Sequence, residues 1–461
     1  MTTVSKPAEN LAKALWALSW PVVTLNLLNV VNALLDRFFI GTLPRAALTA
    51  HGAAVSVIFM LFSLAFSVGI GAGAIISRAY GAQEYEEVKR GADQAVRVSV
   101  YVGLGLALIA ALTAPLAAKL ILPATSVDAQ KMMVQFLLAY SVGLPAMCIN
   151  QTLAAALRSI GNSVAPMFLA GIQVPVHIAL NYLLVFHFRL GLLGAGISLS
   201  ASVIVSLFCY FIYARHSVLQ AHISLKPPSL DWFIRILKIS IPSGFQAILR
   251  TLSLLVFTIV LSSLNNGEAA IAAMTTGFAI EMIMFAPAFG ISAAVSALVG
   301  QSLGAKDPRR AESIGWIGAM VAFAIAAVVS APIYFTVPSF AHSLVGSKPD
   351  VQSELVSIVR FLCITEPLFC LAMVLNGGLQ GAGETKHPLW ISIISLWLMR
   401  VPLAAILALS SGSPLLLGIN LPIGLALGAK GAWIAMSVTQ GVQGFLCGFS
   451  WRKGHWKVVK V

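Results

Sequence analysis

The chain has 461 residues, 59% of them hydrophobic and 10% charged, with a mean hydropathy of +0.91; soluble domains carry about 25% charged residues. A soluble fold of this length could not hide so much apolar surface from water, which excludes an ordinary soluble enzyme and points to lipid. The net charge of +13 does not argue for nucleic acid, since no basic stripe is interleaved with exposed aromatics, whereas Lys and Arg gather in the cytoplasmic loops of membrane proteins.

In chain order, apolar stretches long enough to cross a hydrocarbon core of about 30 Å fall at residues 15–41, 50–77, 95–122, 132–157, 164–187, 191–213, 237–264, 270–299, 312–337, 355–380, 388–410 and 428–450. Backbone groups in lipid must be satisfied internally, so these spans are helices or strands of a closed barrel. Barrel strands alternate apolar and polar residues over about ten positions, and this sequence does not alternate. The expectation is an all-α polytopic membrane protein with twelve transmembrane helices. Its first apolar stretch runs on into a full span, unlike a cleavable signal. With the N-terminus inside, the inward segments hold Lys6, Lys13, Arg78 to Arg97, Arg158, Arg215 to Lys238, Lys306 to Arg310, Lys386 and Arg452 to Lys460. The other side has Arg45, Lys119, Lys131, Arg189 and Lys348. That imbalance predicts a multi-pass cell (inner) membrane protein with both termini cytoplasmic.

The polar connector 214–236, with Pro227 and Pro228, falls at the midpoint and reads as a cytoplasmic linker. It separates residues 1–213 from residues 237–461, the latter ending in a basic tail. A shift of about 222 residues tests whether the parts are repeats. Trp20-Pro21 then meets Ile241-Pro242, and Phe62 to Phe66 meets Phe285 to Phe289. Tyr80-Gly81-Ala82 meets Leu303-Gly304-Ala305, Ala156 to Asn162 meets Gly378 to Glu384, and Pro166 meets Pro388. Matches in one order, at offsets differing by only a residue or two, predict two homologous six-helix lobes around a central cavity, an arrangement suited to alternating access.

These motifs resemble the multidrug and toxic compound extrusion (MATE) family of cation-coupled exporters. Pro21 with Asp36-Arg37-Phe38-Phe39-Ile40-Gly41 is similar to the family's first-helix proline and D-x-x-F-I-G ending. The paired Gly-Ala loops and the pair Ala156–Pro166 and Gly378–Pro388 resemble its other signatures. The resemblance covers essentially the whole chain. It implies two lobes forming a V, and an antiporter that exports amphipathic, often cationic, drugs or toxic metabolites while H⁺ or Na⁺ enters. A related reading within the superfamily is a flippase for a lipid-linked or amphipathic metabolite.

Of the 16 carboxylates, Asp36 and Glu281 lie well inside spans, with Glu366 a third. A charge at bilayer depth costs about 2.5–3.5 kcal/mol on insertion scales, so it has a partner or a job. Asn26, Asn29, Asn32 and Asp36 share one helix face, as do Gln173, His177 and Asn181, next to Pro175. The resemblance places Asp36 and Asn181 in a cation site of the first lobe, with His177 and Asn32 beside them. Some family members add a carboxylate four residues after that asparagine; Val185 stands here. One carboxylate fits H⁺ better than Na⁺, although Na⁺ at Asp36 stays possible. Protonating Asp36 turns an acceptor into a donor, which would re-pair the amides and bend the helix at Pro21. Asn29, Gln173 and Gln151 are expected to line the substrate cavity.

In the second lobe Phe257 and Arg250 match Asp36 and Asn29. Arg250 is expected to pair with Glu281, while Arg400 has no evident partner. The five cysteines lie singly in apolar stretches without metal-ligand spacing. Gly69-x-Gly71-x-Gly73 has no βαβ context for a nucleotide, and no P-loop occurs. No enzyme activity, cofactor or structural metal is expected. The partners expected are small amphipathic substrates and membrane lipids, with the chain acting as a monomer.

Overall fold

Twelve long helices follow the twelve apolar stretches in a computed structural model that describes residues 11–220, 226–412, 423–459 and 461. They are α1 (Leu11–Gly41), α2 (Arg45–Gly81), α3 (Tyr85–Ile121), α4 (Val127–Ser159), α5 (Val164–His187) and α6 (Gly191–His216). The second set is α7 (Leu230–Ser262), α8 (Gly267–Gly304), α9 (Pro308–Val345), α10 (Pro349–Gly381), α11 (Lys386–Ala408) and α12 (Ala429–Lys453). Among the described residues the one β interaction is a single bridge, Ser410 to Leu425. Lys6 and Lys460, counted toward the basic inward segments, lie outside the described residues.

The helices outrun the apolar stretches. The 37 residues of α2 extend about 55 Å at 1.5 Å per residue, so its ends stand beyond the lipid core. The connection between α6 and α7 is correspondingly shorter than the 214–236 connector expected from composition. Eleven of the helices are apolar enough to cross a membrane by length and composition. The twelfth, α12, has 25 residues but carries Thr439, Gln440 and Gln443. These side chains are buried, so protein rather than lipid supplies their surroundings.

The two sets of six form two lobes, each with apolar clusters between its own helices. The first helix of each lobe starts in the other lobe's core. Leu15 and Leu18 of α1 pack with α8, α10 and Trp451 of α12, while Trp232, Ile236 and Ile239 of α7 pack with α2, α3 and α4. Small residues allow the crossing: Gly71 of α2 lies against Ser240 and Ile236, and Gly290 of α8 against Ser19 and Val23.

At the end of the molecule bearing the α2–α3 and α8–α9 turns, the lobes touch backbone to backbone. Gly81 sits on the Gln301 carbonyl and Gly304 on the Arg78 carbonyl. Gly81 matches Gly304 and Arg78 matches Gln301 at the same repeat offset, so the pseudo-two-fold axis exchanges the two contacts. Side chains cross in the same way. Gln301 Nε2 donates to Ser159 O at 2.8 Å, and Arg78 Nη2 donates to Ala382 O at 3.2 Å. The close inter-lobe approaches of Gly71, Gly81, Gly244, Gly290, Gly300 and Gly304 all fall in this half, which is the closed end. Toward the α1–α2 end the described glycines make no such inter-lobe approach.

A candidate ion-coupling site in the first lobe

Four-residue spacing on two helices builds the site. Asn32 and Asp36 sit one turn apart on α1, and His177 and Asn181 one turn apart on α5, so the helices can be bridged by two rungs. In the upper rung Asn181 Nδ2 donates to Asp36 Oδ1 at 2.8 Å. In the lower, His177 Nδ1 lies 3.0 Å from Asn32 Oδ1. A diagonal joins them, with His177 Nε2 4.0 Å from Asp36 Oδ1. The second carboxylate oxygen turns to α2, where His51 Nε2 lies 3.6 Å from Oδ2.

His177 and Asn181 are 2% and 1% exposed. Despite that burial, His177 Nε2 and Asn181 Oδ1 have no hydrogen-bond partner among the described residues. A buried polar atom without a partner costs about 1–3 kcal/mol, so the cluster holds unused donor and acceptor capacity around one carboxylate. Directly after Asn181 the backbone widens into a π-type turn over Tyr182–His187, a local form frequent at functional sites. Pro21 is buried within a continuous α1.

The remaining first-lobe residues stand apart from these rungs. Asn29 is exposed, and Gln173 and Gln151 are half-buried. His51 is the member that sequence reasoning missed: it stands alone on α2 and belongs to no periodic polar face. A cavity of about 650 Å³ lies beside the site, lined by Leu43, Ala47, Met132, Val185, Arg189 and Leu192 among others.

Among the described residues the second lobe has no carboxylate at the position matching Asp36. Phe257, at the position matching Asp36, is fully buried with its ring 6.2 Å from Trp433. The expected Arg250–Glu281 pair is replaced by another arrangement. Arg250 is exposed and its guanidinium lies 5.9 Å over the Phe369 ring. Glu281 points into the bundle, where its Oε1 accepts from Gln440 Nε2 at 3.1 Å; the neighbouring buried Glu366 accepts at Oε1 from Cys370 Sγ at 3.5 Å. Gln440 Oε1 in turn accepts from Thr365 Oγ1 at 2.7 Å. Arg250 acts on Glu281 from longer range, as Arg400 does. Arg400, which had no evident partner in the sequence, donates from Nε to Thr439 Oγ1 at 3.0 Å. The polar residues of α12 supply these partners, and no spacing rule links them to α8 or α10 in sequence.

Two six-helix lobes, closed at one end over crossed backbone contacts and carrying buried ionisable groups, define the architecture of a secondary transporter. The chain belongs to the MatE family, whose model matches residues 21–183 and 242–406, one match per lobe. It is similar to the probable multidrug resistance protein NorM of Thermotoga maritima, 26% identical over 92% of this chain and 88% of that protein. It is also similar to Protein DETOXIFICATION 16 of Arabidopsis thaliana, 25% identical over 88% of this chain and 83% of that protein. Among solved structures, an outward-facing multidrug resistance MATE transporter superimposes with a TM-score of 0.85 at 20% identity, covering 99% of this chain and 100% of the other. A Pyrococcus furiosus transporter of the MOP superfamily, described as having a binding pocket of reverse polarity that suggests a different function, gives 0.84 at 20% identity, covering 97% and 98%. These two likenesses speak to the fold alone.

Proposed function

We propose that the chain is a proton-coupled antiporter that exports amphipathic, often cationic, drugs or toxic metabolites by rocking of the two lobes. The observation that carries this reading is Asp36 held by Asn181 at 2.8 Å with imidazoles on both sides. Na⁺ prefers several oxygen ligands, whereas two imidazoles and a carboxylate are groups that exchange protons. Protonating Asp36 removes its charge and makes the carboxyl a donor, which breaks the present match with Asn181 Nδ2. Re-pairing of the two rungs then shifts α1 against α5, and Pro21, lying lower on α1, is the point where that helix can bend. The basic segments at the closed end support a cytoplasmic location for that end and both termini, in a cell membrane. The structure would then be open to the outside.

The deciding experiment is ethidium accumulation in efflux-deficient cells expressing the chain, with and without a protonophore. Low accumulation that rises on adding the protonophore is the expected result. Accumulation indifferent to the protonophore but sensitive to external Na⁺ would reject proton coupling.

A second reading is favoured by Arg250, an exposed cation on the second lobe. It suits the headgroup of an anionic amphiphile, as in a flippase. Transport of a fluorescent anionic lipid, lost in Arg250→Ala while ethidium export persists, would favour that reading.

A further inference from the structure

We infer that His51 is the proton port of the Asp36 site, passing protons between the carboxyl and the cavity at the α1–α2 end. The inference rests on the antiport reading above and concerns a residue outside the two helices that build the rungs. Three observations carry it.

The first is how the carboxylate is divided. Oδ1 faces Asn181 and His177, while Oδ2 faces His51 at 3.6 Å. One oxygen is therefore tied to the helix pair that would move, and the other faces a different helix. The second is position relative to the cavity. Ala47, Met132 and Val185 line it, and each lies one helical turn from a site residue: His51, Phe136 and Asn181 respectively. The cavity of about 650 Å³ thus stacks one turn beyond the site on three helices at once. The third is orientation. The His51 side chain is 12% exposed, and the Phe136 ring of α4 packs edge-on at 5.5 Å. The imidazole is thereby held between ring and carboxylate.

The ionisable groups around His51 are Asp36 of α1 and, across that carboxyl, His177 of α5. From α4 it meets the Phe136 ring, and Arg189 lines the cavity. His177 faces Asn32 and Asp36 Oδ1 from the opposite side, so it does not share the route.

The step is a proton transfer. A neutral His51 protonated at Nε2 gives that proton to Asp36 Oδ2 while Nδ1 takes one from hydronium in the cavity, leaving water, a neutral imidazole protonated at Nδ1 and a neutral carboxyl. A tautomer exchange through water then returns the ring proton from Nδ1 to Nε2. At 3.6 Å the pair is just beyond hydrogen-bond length, so transfer needs a small ring rotation or one bridging water.

The test uses purified full-length chain in proteoliposomes, with ethidium as probe and an imposed proton gradient. Wild-type efflux should accelerate as the pH on the α1–α2 side falls from about 8 to about 6 and the inward proton gradient grows. His51→Gln should lower the initial rate at least about tenfold, a modest loss for a removed proton relay, and flatten that pH profile. Equilibrium ethidium binding should stay as in wild type. His51→Ala should recover rate when imidazole is added on the α1–α2 side. A His51→Gln variant with wild-type rate and pH profile overturns the inference. So does a uniformly lowered rate with unchanged profile and no imidazole rescue, which marks a packing role. Wild-type efflux that ignores the proton gradient rejects the antiport reading itself, and the port with it.

Discussion

Asp36 and Arg400 are both ionisable groups within spans, and their surroundings lead to opposite expectations on substitution. Asp36→Asn keeps an Oδ1 acceptor for Asn181 Nδ2 and should express and fold as wild type. Its ethidium export should fall to the level of cells without the chain, since an amide cannot take up the proton. Unchanged export in this variant would reject Asp36 as the coupling group. Arg400 is buried beside Thr439 and within electrostatic reach of Glu281. Arg400→Ala removes a buried cation that acts on the buried Glu281 carboxyl and leaves Thr439 without its partner, and should cost about 3–5 kcal/mol, read as a lower unfolding midpoint in detergent. Arg250→Ala, at an exposed position, should stay within about 0.5 kcal/mol. Equal losses for both arginines would contradict this division. In sequence, Asp36, Asn32, His177 and Asn181 are recoverable because helical periodicity places each pair on one face. His51 and Gln440 are not, because each reaches its partner across helices whose relative rotation no periodicity specifies.

Helix positions follow from hydropathy, and their ends do not. Length in excess of the bilayer is set by protein contacts at the helix termini, which is why α2 reaches Gly81 and α8 reaches Gly304. The π-type turns at Tyr182–His187 and Ile393–Arg400 had no signal either, since the local residues are ordinary apolar ones. The segment after α12 gives an element-scale prediction. Trp456 is buried, stacks on Trp451 at 4.0 Å and donates to its carbonyl. Beyond it, Val459 O accepts from Arg78 and Val461 O from Arg235, while Lys457 pairs with Glu312 at 2.6 Å. This strap ties both lobes at the closed end. Removing residues 455–461 should therefore reduce disulfide formation between Ser159→Cys and Gln301→Cys in a background lacking the five native cysteines. Unchanged cross-linking would show that the strap does not hold the lobes together.

For the whole molecule, the duplication explains why two lobes and their packing were legible. Matched Pro, Gly and aromatic positions at nearly constant offset specify matched helices, and matched helices bury matched faces. The asymmetry of Asp36 against Phe257 was equally visible as a residue difference. What each lobe does with it depends on the partners supplied by α2, α5 and α12. If the lobes rock, the closed end must open in every cycle. The Ser159→Cys/Gln301→Cys disulfide should then stop ethidium efflux under oxidising conditions, and dithiothreitol should restore it. Efflux that continues through the locked state would rule out rocking about this end.

Gly81 on the Gln301 carbonyl and Gly304 on the Arg78 carbonyl form two latches facing in opposite directions on one axis. Because each rigid helix carries one member of both latches, releasing one displaces the other. The closed end therefore opens as a unit, without a half-released intermediate of comparable stability. Gly81→Ala and Gly304→Ala should show this as thermodynamic redundancy. Either one alone should cut the yield of the cross-link at this end nearly as far as both together, departing from the additivity expected of independent sites.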